Sequence, residues 1–183
     1  MKSLFKFSMI AAMLAIAAPA FAEKTVEVGG APMYPSKNIV ENAVNSKDHT
    51  TLVAAVKAAG LVDTLMSPGP FTVFAPVNAA FDKLPAGTVD TLLKPENKGT
   101  LTSVLTYHVV AGKLSAADLK AKIKAGDGKA TLKTVEGDQL TLSSAGRAIE
   151  ITDTKGDQAM VTIADVNQSN GVIHVIDTVL LPK

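Results

Sequence analysis

The sequence predicts an α+β fold, with helices in the first half of the chain and strands in the second. Before about residue 125, apolar side chains recur at the three- and four-residue spacing of amphipathic helices. After Gly126 the pattern changes to short alternating runs separated by turn dipeptides such as Gly137-Asp138, as in antiparallel strands. Residues 172–181 are almost continuously apolar and β-branched, which favours a strand buried on both faces. This segregation of helices from strands is typical of α+β domains.

Residues 1–22 have the composition of a secretory signal peptide. Lys2 and Lys6 precede an uncharged apolar run over residues 7–18, and Ala20-Phe21-Ala22 forms a small-x-small cleavage site. The run is shorter than the roughly 20 residues that a membrane-spanning helix needs. The alternatives are an uncleaved anchor and a buried N-terminal helix. We expect cleavage after Ala22, which gives a secreted or periplasmic protein with no stable membrane insertion.

The composition excludes several classes of function. The sequence has no Cys, which excludes disulfides, thiolate metal sites, a Cys nucleophile and a lipoprotein anchor. Its 18 basic and 17 acidic residues nearly balance and form no basic stripe. Nucleic acid is therefore excluded as a partner, because phosphate binding needs a concentrated positive field. We expect a monomer.

Local signals predict the first elements in order. Residues 23–35 contain two Gly and two Pro among few apolar residues, which predicts a flexible N-terminal arm. Asn38 begins a short amphipathic segment. Thr50 or Thr51 is placed to cap a helix over residues 52–59, because a hydroxyl can accept an unpaired N–H of the first turn.

The remaining elements follow from the same kinds of signal. Residues 71–74 have strand composition, and Asn78 is predicted to cap the helical turn that comes next. A helix is predicted over residues 100–107. Ser115 and Asp118 resemble a capping box at the start of the last helix. The strands predicted before the terminal apolar run cover residues 130–135, 139–143, 148–152 and 160–166.

A search for catalytic and metal-binding motifs finds none. His49, His108 and His174 lie far apart in the sequence and form no zinc pattern. There is no serine-hydrolase elbow, and Gly126-Asp127-Gly128-Lys129 lacks the spacing of a phosphate loop and is interpreted as a turn. We therefore expect no enzyme activity, no cofactor and no metal. A hydrolase acting on matrix polymers is a further hypothesis, which no motif favours.

Three segments are too specific to be explained by amino-acid composition alone. They are residues 71–81 (FTVFAPVNAAF), 107–110 (YHVV) and 170–177 (NGVIHVID). In this order they resemble the N-terminal signature block, the Tyr-His motif and the C-terminal signature block of the fasciclin (FAS1) domain. The resemblance extends over about residues 36–183, and it looks most like the secreted single-domain bacterial members. One departure is Val77, which stands where the family usually has Thr or Ser.

The resemblance implies a FAS1-type β-wedge packed with several α-helices, and a role in cell adhesion or extracellular-matrix binding. In animal members, adhesion has been linked to the Tyr-His motif and to an Asp-Ile pair before the C-terminal block. The matching partner-binding residues here are Tyr107, His108, Asp165 and Val166, with Val in place of Ile.

Each candidate also has a structural interpretation. For His108 we favour that interpretation, with one ring nitrogen donating to a backbone carbonyl and the other accepting. Tyr107 is expected to bury its ring and leave its hydroxyl at an edge. Asp165 precedes an expected loop and could stabilise a turn or bind a partner. His174 alternates with apolar residues and is predicted to be a core residue.

We expect a non-catalytic secreted interaction module that binds an unknown protein or glycan partner at a surface. The alternative is a periplasmic carrier or sensor for a small apolar ligand. A carrier requires a mostly apolar cavity of roughly 300 Å3 or more with a few polar groups. An interaction module requires a filled core and an exposed apolar or mixed patch.

Overall fold

The computed structural model describes residues 24–183, which combine seven α-helices with nine strands and confirm the α+β class. The predicted signal peptide lies outside the described residues. The helices are α1 (Ile39–Ala43), α2 (Thr50–Ala59), α3 (Val62–Met66), α4 (Asn78–Asp82), α5 (Thr88–Leu92), α6 (Lys98–Tyr107) and α7 (Ala116–Ala125). The strands are β1 (Val26–Val28), β2 (Ala31–Met33), β3 (Phe71–Pro76), β4 (Val109–Ala111), β5 (Lys129–Lys133), β6 (Gln139–Ala145), β7 (Ala148–Thr152), β8 (Gln158–Gln168) and β9 (Gly171–Ile176).

The segment predicted to be an arm forms a hairpin instead. Strands β1 and β2 pair antiparallel around Gly29 and Gly30, whose φ angles of 59° and 73° suit glycine. Val28 and Met33 are buried in the core. The prediction of a flexible arm over residues 23–35 is therefore wrong for the hairpin, because burial of these alternate side chains outweighs the Gly and Pro content.

The larger sheet has seven strands in the order β4-β3-β9-β8-β7-β6-β5. Its neighbouring strands pair antiparallel except β3 and β9, which run parallel. All six residues of β9 are buried, as predicted for the terminal apolar run. The prediction that this strand continues to residue 181 is wrong. The strand ends at Ile176, because its parallel partner also ends there, at Pro76.

Strand β8 contains a bulge where it passes β9. The register of the two strands shifts between Ile163 and Val166. Asp165 lies in this interval with a φ angle of 58°, a left-handed conformation that Asp tolerates better than most residues. The bulge takes Asp165 out of the regular ladder and brings its side chain to the start of α7.

The ends of three helices test the capping predictions. At α7, Ser115 Oγ accepts the N–H of Asp118 at 3.2 Å and the Asp118 carboxylate accepts the N–H of Ser115 at 2.9 Å, which confirms the capping box. The prediction that Thr50 or Thr51 caps α2 is wrong. Asn78 Oδ1 accepts the N–H of Thr51 at 3.1 Å, so Asn78 satisfies the start of α2 and not of its own helix α4.

Buried apolar side chains form two clusters on opposite faces of the sheet. Successive residues of a strand point to opposite faces. In β3, Val73 and Ala75 belong to the first cluster, whereas Phe74 belongs to the second. Helices α1 to α4 and α6 and the hairpin pack over the first cluster, and α7 packs over the second against β5, β6 and β7. No helix within residues 24–183 is long and apolar enough to cross a membrane.

Candidate functional site

Tyr107 is the last residue of α6 and is completely buried. Its hydroxyl donates to the carbonyl of Gln139 at 3.0 Å and accepts the N–H of Thr154 at 3.2 Å. Burial raises the pKa of the hydroxyl above its usual value, which keeps it protonated. Tyr107 therefore connects the end of α6 to the start of β6 and to the turn after β7.

His108 follows directly and is also buried. Its Nδ1 lies 2.7 Å from the carbonyl oxygen of Val104, and its Nε2 lies 3.0 Å from the backbone nitrogen of Leu180. Since a backbone N–H can only donate, Nε2 accepts, and the ring proton lies on Nδ1. Burial lowers the pKa of His108 to about 4, so the ring is neutral at pH 7. This is the structural arrangement that the sequence favours for His108.

Leu180, which donates to His108, belongs to a segment after β9 that is not part of a strand. Side chains accept the backbone N–H groups of this segment instead. Within residues 180–183, three N–H groups are held in this way: Leu180 by His108 Nε2, Leu181 by Asp153 Oδ2 at 3.0 Å, and Lys183 by Asp138 Oδ2 at 3.3 Å. Asp153 also lies at the turn between β7 and β8. Its Oδ1 does accept two N–H groups of that turn, but the role of Oδ2 depends on a distant segment.

Asp165 caps a helix from a different strand. Its Oδ1 accepts the N–H of Ala116 at 2.7 Å, at the first residue of α7. Such an N–H has no partner within the helix, and a carboxylate near a helix N-terminus also interacts favourably with the helix dipole. Asp165 is half-buried. Its structural role is therefore established by geometry, while partner binding by its remaining surface stays a prediction.

His174 holds the bulge that positions Asp165. It is fully buried on β9, and its ring stacks on Phe74 with 5.7 Å between the ring centroids. Nδ1 accepts the N–H of Asp165 at 3.3 Å, and Nε2 donates to the carbonyl of Leu114 at 2.8 Å. Burial lowers the pKa of His174, which favours this neutral form. The sequence-based placement of His174 in the core is confirmed.

The four residues predicted to bind a partner do not form one exposed surface. Tyr107, His108 and Val166 are at most 3% exposed, and only Asp165 retains part of its surface. Tyr107 packs in the second cluster and Val166 in the first. Because the core surrounds Tyr107, His108 and Val166, direct contact with a partner would require these side chains to become exposed, and partner binding through them stays a prediction.

An apolar cavity of about 80 Å3 lies between the hairpin, helices α1, α2, α3 and α6, and the inner strands. His108 and Val166 both contribute to its wall, as does the third buried histidine, His49, whose pKa is lowered by burial. The wall presents only apolar atoms to the free space. The volume is well below the roughly 300 Å3 at which pockets for drug-sized ligands begin. The cavity is therefore too small for a carrier of such ligands.

A model of the fasciclin domain matches residues 47–182 of the sequence. The chain belongs to the fasciclin domain family. Protein sll1483 of Synechocystis sp. is 47% identical over 160 residues, which cover 87% of this chain and 82% of that protein. Cell surface glycolipoprotein MPB83 of Mycobacterium bovis is 40% identical over 145 residues, which cover 76% of this chain and 58% of that protein.

The architecture of this fasciclin domain matches a solved structure. A FAS1 domain pair from the insect cell adhesion molecule fasciclin I aligns with a TM-score of 0.70 at 21% sequence identity. The match covers 81% of this chain and 52% of that chain, so this chain spans about half of the pair. The FAS1-type wedge of strands packed with helices is thereby confirmed.

The helical side of the fasciclin domain exposes apolar side chains. Tyr34, Val44 and Met66 are 36%, 49% and 44% exposed. They lie just after β2, just after α1 and at the end of α3, and α1 packs against both β2 and α3. We call these three residues the helical-side patch. Sequence reasoning did not single them out, because only the packing of α1 against its neighbours shows which apolar residues remain outside.

Proposed function

We propose that this fasciclin domain is a non-catalytic interaction module that binds a protein or glycan on a cell surface or in extracellular matrix. Family membership supports the proposal, since a relative at 40% identity, MPB83, is named a cell surface glycolipoprotein. The single structural observation on which it rests is the helical-side patch. Large exposed apolar patches commonly mark surfaces for protein interaction, so these three exposed side chains are the residues to test.

The buried motif residues hold backbone segments of the fold, and the core covers their side chains. His108 fixes the segment after β9, and Tyr107 fixes the end of α6. The polar atoms of both side chains form hydrogen bonds with backbone groups. We therefore assign partner contact to the helical-side patch, and we retain Asp165 as a second contact because part of its surface is exposed.

Lysine substitutions on the patch test this assignment. The chain from residue 23 to 183 is labelled and incubated with cell-surface and matrix fractions, and the bound fraction is measured at several concentrations. We expect Val44→Lys and Met66→Lys to weaken binding about tenfold or more, since burying an unpaired charge at an interface is costly. Val135→Lys is the matched control, because Val135 is also 49% exposed but lies beside β4.

The assignment fails if the patch variants bind as well as the Val135→Lys control. The proposed function itself fails if the wild-type chain binds no surface or matrix fraction at any concentration tested. Circular dichroism of each variant shows whether a loss of binding reflects a loss of folding.

We further propose that the protein is secreted or periplasmic after removal of residues 1–22. The charged, apolar and small-residue order of this segment supports export. The mass of the protein recovered from periplasm and culture medium tests the site of cleavage. We expect a chain that begins at Glu23, and recovery of the full-length chain in the cytoplasm would contradict export.

A further inference from the structure

The apolar cavity beneath the helices has a basic side chain at its edge. Lys57, in the last turn of α2, lines the cavity and is exposed to solvent. Because no polar atom faces the free space, Lys57 contributes its aliphatic stem to the wall and keeps its ammonium group outside. A second ammonium group, that of Lys98, lies near Gly60 at the same end of α2. The cavity therefore combines an apolar interior with one lysine in its wall, Lys57, which is exposed to solvent.

The volume of the cavity limits what it can hold. One water molecule needs about 10–15 Å3 of cavity volume. A cavity of 80 Å3 therefore holds on the order of six groups of that size. Water itself is unsuited to the cavity, because an ordered water needs two to four polar partners. By volume, the space matches one short hydrocarbon chain and is too small for a drug-sized ligand.

The geometry points to a binding site for a medium-chain carboxylic acid. Its alkyl chain enters the cavity, and its carboxylate lies outside, beside the ammonium group of Lys57. The alkyl chain contacts side chains of α2, of α3 and of the link between them, among them Val53, Val62 and Leu61. The site uses none of the helical-side patch residues, so it goes beyond the proposed surface interaction and does not depend on it.

Titration with straight-chain carboxylates tests the site. The chain from residue 23 to 183, labelled at its methyl groups, is titrated with butanoate, hexanoate, octanoate and decanoate by NMR. We expect saturable shifts for Val53, Leu61 and Val62, and none for Leu140 and Ile151 of the second cluster. The dissociation constant should fall about fourfold for each added methylene until about eight carbons, and then level off as the cavity fills.

A variant at the rim tests the head group. Lys57→Met should weaken octanoate binding about fivefold and leave octanol binding unchanged, because only the carboxylate interacts with the ammonium group. Lys124→Met is the matched control, since Lys124 is likewise an exposed lysine in the last turn of a ten-residue helix, α7.

Two results would overturn the inference. If no methyl group of the cavity shows a saturable shift, or if shifts spread equally to Leu140 and Ile151, the cavity is not the binding site. If Lys57→Met and Lys124→Met bind octanoate equally well, the carboxylate assignment is wrong. Neither result bears on binding to surface fractions, which the patch variants test separately.

Discussion

Replacing His108 with Phe gives a direct measure of what this buried histidine does for the fold. The variant keeps an aromatic ring in the core but removes the donor to Val104 and the acceptor for Leu180. Leaving a buried donor or acceptor unpaired costs about 1–3 kcal/mol for each group. At pH 7.5 we therefore expect His108→Phe to lower the free energy of unfolding by about 2–4 kcal/mol.

The same substitution should change how stability depends on pH. The pKa of His108 is lowered from 6.5 to about 4 in the folded chain. The unfolded chain therefore binds a proton at a higher pH than the folded chain does, and stability falls as pH drops through this window. At pH 4.5 protonation of the unfolded chain costs the wild-type protein about 2–3 kcal/mol of stability relative to neutral pH, a loss that the Phe variant does not suffer.

Urea unfolding of both proteins at pH 7.5 and pH 4.5, followed by circular dichroism, measures this difference. Titration of the other groups is common to both proteins, so it cancels when the two unfolding free energies are subtracted. We expect the stability gap between wild type and variant to shrink by about 2–3 kcal/mol at the lower pH. A gap that is the same at both pH values would refute the neutral, backbone-bound assignment of His108.

Three further substitutions test other parts of the structure. Asp165→Ala should lower the free energy of unfolding by about 1–2 kcal/mol, because the Ala116 N–H of α7 loses its acceptor and Ala disfavours the left-handed backbone. Thermal melts check this, and an unchanged melting temperature would show that this hydrogen bond contributes nothing. His174→Ala should lower the free energy of unfolding by about 3 kcal/mol, because it leaves a cavity in the core and removes the donor to the Leu114 carbonyl. Urea unfolding measures this, and a loss below about 1 kcal/mol would contradict that role. Asn78→Ala should lower the free energy of unfolding by about 1 kcal/mol and increase hydrogen exchange at Thr51 in α2. Faster exchange confined to α4 would instead show that Asn78 caps α4, the helix in which it lies.

Sequence patterns predict most reliably those elements whose ends are decided by neighbouring residues. The capping box of Ser115 and Asp118 needs only a three-residue spacing, and the structure confirms it. Strand β7 has the predicted bounds, residues 148–152, because alternation and flanking turns are both local. The motifs of the fasciclin domain are also local, which is why the family could be identified from short segments.

Elements that depend on distant contacts are predicted less well. The hairpin of β1 and β2 contains only three-residue strands, and burial of Val28 and Met33 in the first cluster stabilises it. The position of Asn78 in the sequence predicts that it caps the helix that follows it. Its hydrogen-bond partner Thr51 lies 27 residues earlier, and no local pattern indicates that contact.

The sequence by itself determined the α+β class, the family and the short list of residues to examine. Only the tertiary structure decided what those residues do, because burial and hydrogen-bond partners are set by packing between segments far apart in the chain. His108 is bonded to a residue 72 positions away, and Asp165 to one 49 positions away. These contacts place His108 in the core and Asp165 at a helix terminus, and they leave the helical-side patch as the exposed apolar surface to test.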